Sequence, residues 1–146
     1  MDEVETCSLG TFTYKKCYWV GEINNEGNKI QVTISDANKD LPRCENALKR
    51  VLNNLDQYIS TSIQDAIDQE TVGSWLGESE EYSEEELEEA DTVGFFKKEF
   101  DVELYLRVDE NEEEFILTLN NKRDALGGHG WAVTFENDNI IDSLLQ

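Results

Sequence analysis

The apolar residues of this chain change their period twice, and that limits the folds open to it. Ile30, Val32 and Ile34 alternate with Lys29, Gln31 and Thr33, the period-two signature of a half-buried strand. From Cys44 to Ile67 the spacing shifts to three and four: Ala47, Leu48, Val51, Leu52, Leu55, Tyr58, Ile59, Ile63 and Ala66 fall on one stripe. Period two then returns at Val102, Leu104, Leu106 and Val108 and again at Phe115, Leu117 and Leu119. Strands, helix, strands is the order of a sheet with helix packed on it.

Local signals set the expected boundaries. Before the first alternating strand, Thr11 to Tyr14 and Tyr18 to Ile23 read as strands, so residues 11–35 form a meander or hairpin, turning at Asn24 to Asn28. Asp40 is placed to cap the helix, and Pro42 sits in its first turn, where a missing N–H costs nothing. If unbroken, that helix runs for about 27 residues, or about 40 Å. Ser60-Thr61-Ser62 is the expected weak point, and Gly73 lies beyond its end. Ser83 with Glu86 makes a capping box, opening a short acidic helix that runs to about Ala90. Gly127-Gly128-His129-Gly130 leads into a strand from Trp131 to Phe135, and a turn at Glu136 to Asn139 returns the chain through Ile140 and Ile141. The expectation is a single α+β domain over residues 1–146. It has an antiparallel sheet of about five to six strands, one long amphipathic helix on one face and a second short acidic helix.

Charge decides which functions are reasonable. The 146 residues carry 33 acidic and 12 basic side chains, a net −21. Direct nucleic-acid binding needs cationic patches, and anionic membranes attract cations, so both are disfavoured. The N-terminus, Met1-Asp2-Glu3-Val4-Glu5, is the opposite of a secretory leader, and three scattered cysteines (Cys7, Cys17 and Cys44) read as free thiols. A cytoplasmic location is expected.

The charge is concentrated. From Glu78 to Glu114 there are 17 carboxylates against three cations, interleaved with Tyr82, Phe95, Phe96, Phe100 and Tyr105. Aromatic anchors inside a charged rim suit a protein interface, and one sign of charge speeds encounter with the opposite sign. The candidate partner-binding residues are Glu78, Glu80, Glu81, Tyr82, Glu84, Glu85, Glu86, Glu88 and Glu89. Their expected partner is a basic protein, such as a toxin, a nuclease or a nucleic-acid-binding protein. A nucleic-acid mimic is the alternative, provided the carboxylates form extended rows across one face.

Catalytic readings are thinner. His129 is the only histidine, and its glycine setting could place an imidazole beside free amides, with Asp124 as orienting carboxylate. No nucleophile sits at a recognisable elbow, so a structural histidine is the better reading. His129 and its neighbour Trp131 stay as candidate functional residues. Asp109 to Glu114 fails as a calcium loop, having Glu114 where a glycine is required and Asn120 where a glutamate is. No metal or cofactor is expected, and the chain reads as a binding protein, not an enzyme.

Several motifs in order resemble an uncharacterised bacterial domain-of-unknown-function family of small α+β proteins. They are Tyr18-Trp19-Val20-Gly21, the Ile30 to Ile34 strand, the helix from Ala47 to Leu55, and Ser74-Trp75-Leu76 in a loop. The glutamate-rich start at Ser83 to Leu87 and Gly128-His129-Gly130-Trp131-Ala132-Val133 complete the set. The resemblance implies a fold and a bacterial origin and no reaction. In size, charge and layout the chain is also similar in kind to immunity proteins of bacterial toxin systems.

Overall fold

The computed structural model describes residues 3–78, 80–88 and 92–146. Among these, β1 (Glu3–Cys7), β2 (Gly10–Lys15), β3 (Tyr18–Asn25) and β4 (Asn28–Ser35) form an antiparallel meander. Five helices follow: α1 (Leu41–Asn53), α2 (Leu55–Asp68), α3 (Glu70–Glu78), α4 (Glu84–Leu87) and α5 (Thr92–Lys97). A second meander closes the chain: β5 (Phe100–Arg107), β6 (Asn111–Asn121), β7 (Gly130–Glu136) and β8 (Asn139–Leu145).

The two meanders join into one eight-stranded sheet in sequential order. The join is parallel, with Val32 of β4 opposite Leu104 of β5 and Ile34 opposite Leu106. This corrects the expected five-to-six-stranded antiparallel sheet. A helical crossover can bring the chain back to either end of the strand it left. Here it returns to the start of β4, so β5 runs parallel to it, whereas a tight turn yields only an antiparallel neighbour. The uncounted strand is chiefly β1, whose residues are exposed except for half-buried Cys7 and so carry no apolar alternation.

The single long helix is also corrected. The chain breaks at Asn54, whose φ of −122° and ψ of 20° leave the helical region, and not at Ser60 to Ser62. The serines lie within α2, where the Ser60 and Ser62 hydroxyls are satisfied by donating to the Asp56 and Tyr58 carbonyls one turn back, at 3.0 and 2.8 Å. Gly73 lies beyond the end of α2 at Asp68, as expected, but within a further helix, α3, and Trp75 is helical rather than in a loop. A Cβ on Gly73 would come within 2.2 Å of the Ile67 carbonyl oxygen, so α3 packs onto the end of α2 only with glycine there.

The core lies between the helices and one face of the sheet. Trp19, Val32, Ile34, Leu104, Leu117 and Val133 supply that face, and Cys44, Leu48, Leu55 and Ile63 come down from α1 and α2. Gly21 explains itself in the register: it faces Phe12, and an added Cβ would stand 2.7 Å from that ring and 2.8 Å from the Thr11 carbonyl.

One polar group is wholly buried at the joint between sheet and helices. Asp36, between β4 and α1, accepts the Trp19 Nε1–H at 3.1 Å, the Asp40 N–H at 2.6 Å and the Cys44 thiol at 3.3 Å on Oδ2. Its Oδ1 accepts the Asn38 N–H at 3.1 Å. Burial pushes its pKa up, but the hydrogen bonds from Asp40, Trp19, Cys44 and Asn38 outweigh it and hold the carboxyl below its ordinary range. Burial and the neighbouring Asp36 carboxylate push the Cys44 thiol well up.

Candidate functional site

The acidic stretch from Glu78 to Glu114 is continuous in sequence and divided in space. Residues 80–88 lie by the Phe100 end of β5, against Glu99, Asn121 and Arg123. Asp109, Glu110 and Glu113 lie beyond Arg107, at the other end of the same strand. An eight-residue strand at about 3.3 Å per residue separates the two groups by about 25 Å. The acidic stretch thus has a cluster at each end of β5, with exposed Asp101 and Glu103 on the strand between them.

The first patch is clamped to the sheet. The Ser83 hydroxyl accepts the Glu86 N–H at 3.2 Å, and Glu86 Oε1 accepts the Ser83 N–H at 3.1 Å, completing the expected capping box. The helix stops at Leu87, short of Ala90, which is outside the described residues. Arg123 grips Glu86 with two parallel bonds of 3.0 and 2.8 Å. It also donates to the Glu81 carbonyl at 2.9 Å, pairs with Glu99 at 2.6 Å and lies 4.7 Å over the Tyr82 ring. The Arg123 guanidinium, with the Ser83 amide, draws the Glu86 pKa down to about 2. Tyr82 packs edge-on to Phe95 and Phe96, and its hydroxyl accepts from Asn121 at 2.7 Å.

The nine candidate binding residues therefore separate by environment. Tyr82 is only 4% exposed and belongs to the core, and Glu86 is engaged by the clamp. Glu80, Glu81, Glu84, Glu85 and Glu88 are exposed. Glu89 and the side chain of Glu78 fall outside the described residues. Sequence reasoning missed Arg123. The Lys122-Arg123 pair after a strand carries no motif, although cations are scarce enough in so acidic a chain for each to be a usable signal.

The second patch is woven into turns. Asp109 accepts from the Ser35 hydroxyl at 3.1 Å and the Ala37 N–H at 3.2 Å, tying β5 to the start of the crossover. Asn137 donates its N–H to the Glu113 carbonyl at 2.9 Å. No cluster of metal-ligating side chains occurs among the described residues.

His129 and Trp131 go separate ways. His129 is exposed, its Nδ1 lies 3.0 Å from the Gln146 carbonyl, and its ring stands 6.2 Å from Trp75. Asp124 does not orient it, because that carboxylate accepts the Gly128 N–H. Gly127 and Gly128, at φ of 62° and 82°, supply the left-handed turn. Trp131 is buried on the helix side, opposite Leu119 and Leu145. A concavity of about 820 Å³ opens between the β3–β4 turn and the α1–α2 junction. It is lined by Lys97, Lys98 and Lys122 with Asp56 and Asp101, and not by His129.

No described helix is long and apolar enough to cross a membrane. No protein-family model, curated protein or solved structure matches the chain.

Proposed function

We propose that the chain is a protein-binding protein that recognises a basic partner through its acidic surface. The observation that carries this reading is the Arg123 clamp. It fixes the backbone of the α4 segment and consumes one carboxylate, Glu86, while Glu80, Glu81, Glu84, Glu85 and Glu88 remain exposed. A pre-ordered anionic segment loses less conformational entropy on binding than a flexible acidic tail. Solubility alone requires charge and does not require that the charge be held in place.

The mode of action under this reading is occlusion: the segment covers a cationic active site or substrate groove of a toxin or nuclease, as an immunity protein does. The chain's small size and strong negative charge are compatible with that mode of action. The nucleic-acid mimic is less favoured, because Arg107 and Arg123 pair with carboxylates of this stretch and interrupt the run of negative charge that a phosphate backbone has. An enzymatic role for His129 has less support still, since Asp124 and the imidazole face different partners.

The test is a fluorescence-anisotropy titration of the full chain against short arginine-rich peptides. The combined charge reversal Glu84→Lys, Glu85→Lys and Glu88→Lys is expected to weaken binding by about tenfold or more. Equal affinity in the reversed variant would remove this segment from the binding surface.

A further inference from the structure

The described helices all lie in the crossover between β4 and β5, and the core takes its strand residues from one face of the sheet. No described helix covers the opposite face. One row of that face follows the register through all eight strands: Val4, Thr13, Val20, Thr33, Tyr105, Ile116, Thr134 and Asp142. An aromatic cluster lies toward one end of the middle strands: the Tyr18 ring of β3 and the Tyr105 ring of β5 approach to 6.3 Å over β4, and the Arg107 guanidinium stands 5.7 Å from the Tyr105 ring. Apolar side chains are left in water here: Val4 is 61% exposed, Val20 and Leu144 are 44% and Tyr18 is 38%.

The flanking charges are mostly of one sign. By register Glu22, Asp101, Glu103, Glu114, Glu136 and Asp142 share this face with Lys15, Lys29 and Arg107. Lys29 stands 3.8 Å from Glu22, and Arg107 stands 3.6 Å from Glu114. Eight strands about 4.8 Å apart and about 20 Å long present roughly 700 Å², close to the roughly 800 Å² that each side of a standard protein interface buries. Tyr18, Tyr105 and Arg107 lie toward the end of this face where β3 begins and β5 finishes, and tyrosine and arginine are the residue types that dominate binding energy.

We propose that this open face is the main docking surface for the protein partner, and that the partner presents arginine or lysine beside an apolar or aromatic group. The inference rests on the partner-binding reading above and moves its centre from the α4 segment to the sheet. A second copy of the chain is the wrong occupant, because stacking two such faces sets like charges against each other on chains of −21 each.

The test is residue-resolved NMR on the isotope-labelled full chain. The probe is a short peptide alternating arginine with tyrosine and leucine, and its control carries glutamate for arginine. At low salt the arginine peptide is expected to shift the amides of Tyr18, Val20, Thr33, Tyr105 and Ile116 saturably, and the control is not. Tyr105→Ala and Glu103→Lys, on surface positions that leave the core intact, are each expected to weaken binding by about tenfold. Shifts confined to Glu80–Glu88 overturn the open-face inference and leave the partner-binding reading standing. No shift anywhere overturns both. Equal response to the control peptide overturns the stated partner chemistry. A dimer by sedimentation, with the same amides shifting on dilution of the chain alone, overturns the choice of occupant.

Discussion

Replacing Asp36 by alanine tests how sheet and helices are joined. The substitution strands the Trp19 Nε1–H and the Cys44 thiol, both in fully buried residues, and the N–H groups of Asn38 and Asp40. A buried donor left without an acceptor costs about 1–3 kcal/mol, and bonds to a charged acceptor fall at the upper end. The thiol is a weak donor and the two amides are part-buried, so the expected loss is about 3–5 kcal/mol. That is a large share of the roughly 5–15 kcal/mol that holds a domain folded. Asp36→Asn preserves shape but turns one acceptor into a donor, and about 2 kcal/mol is expected. Urea unfolding followed by tryptophan fluorescence reads both, with an unchanged denaturant slope if the fold persists. A loss below about 1 kcal/mol for the alanine variant would refute the claim that this carboxylate organises the joint. The pH dependence has a definite sign. The Asp36 pKa is depressed in the fold, so its contribution is complete above the unfolded value near 3.8 and is lost as pH falls through the lower native value. The asparagine variant should lack that part of the acid limb.

Three further outcomes follow from other contacts. Gly21→Ala drives a Cβ against the Thr11 carbonyl and the Phe12 ring and should cost about 2–3 kcal/mol in the same unfolding assay; a neutral result would contradict the close approach of β2 and β3. Alkylation followed by mass spectrometry should label exposed Cys17 quickly and spare buried Cys44, whose thiol is pushed up; rapid labelling of Cys44 in the native state would contradict its burial. Arg123→Ala removes the clamp and should speed amide hydrogen exchange across residues 80–88 without changing exchange in β3 and β4; unchanged exchange in the segment would show that Arg123 does not order it.

The readable parts of the fold were those in which one residue type does one local job. Asp40 accepts the Arg43 N–H as its position suggested, and Ser83 with Glu86 closes the capping box. The half-buried strands from Ile30 and from Val102 announce themselves because one face packs and the other meets water. The parallel joint was not readable, because pairing direction depends on where a crossover of residues 36–99 returns, and no periodicity encodes that. The break at Asn54 was missed in favour of the serines because composition ranks serine and asparagine alike, whereas only the serines can return their hydroxyls to the helix. At the candidate site, charge density marked the α4 segment. Division of the acidic stretch by β5 was hidden, since net charge per segment carries no direction, and Tyr82 looked like an anchor for a partner because burial is a tertiary property.

The central claim is recognition of a basic partner by an organised acidic surface, and salt dependence tests it most directly. Affinity for the arginine-containing peptide should be measured from about 50 mM to about 500 mM salt, where the screening length falls from above to well below the spacing of surface charges. The account predicts saturable binding that weakens steadily across that range and is absent for the glutamate peptide. Binding that is unchanged by salt, or no binding at the low end, would contradict it.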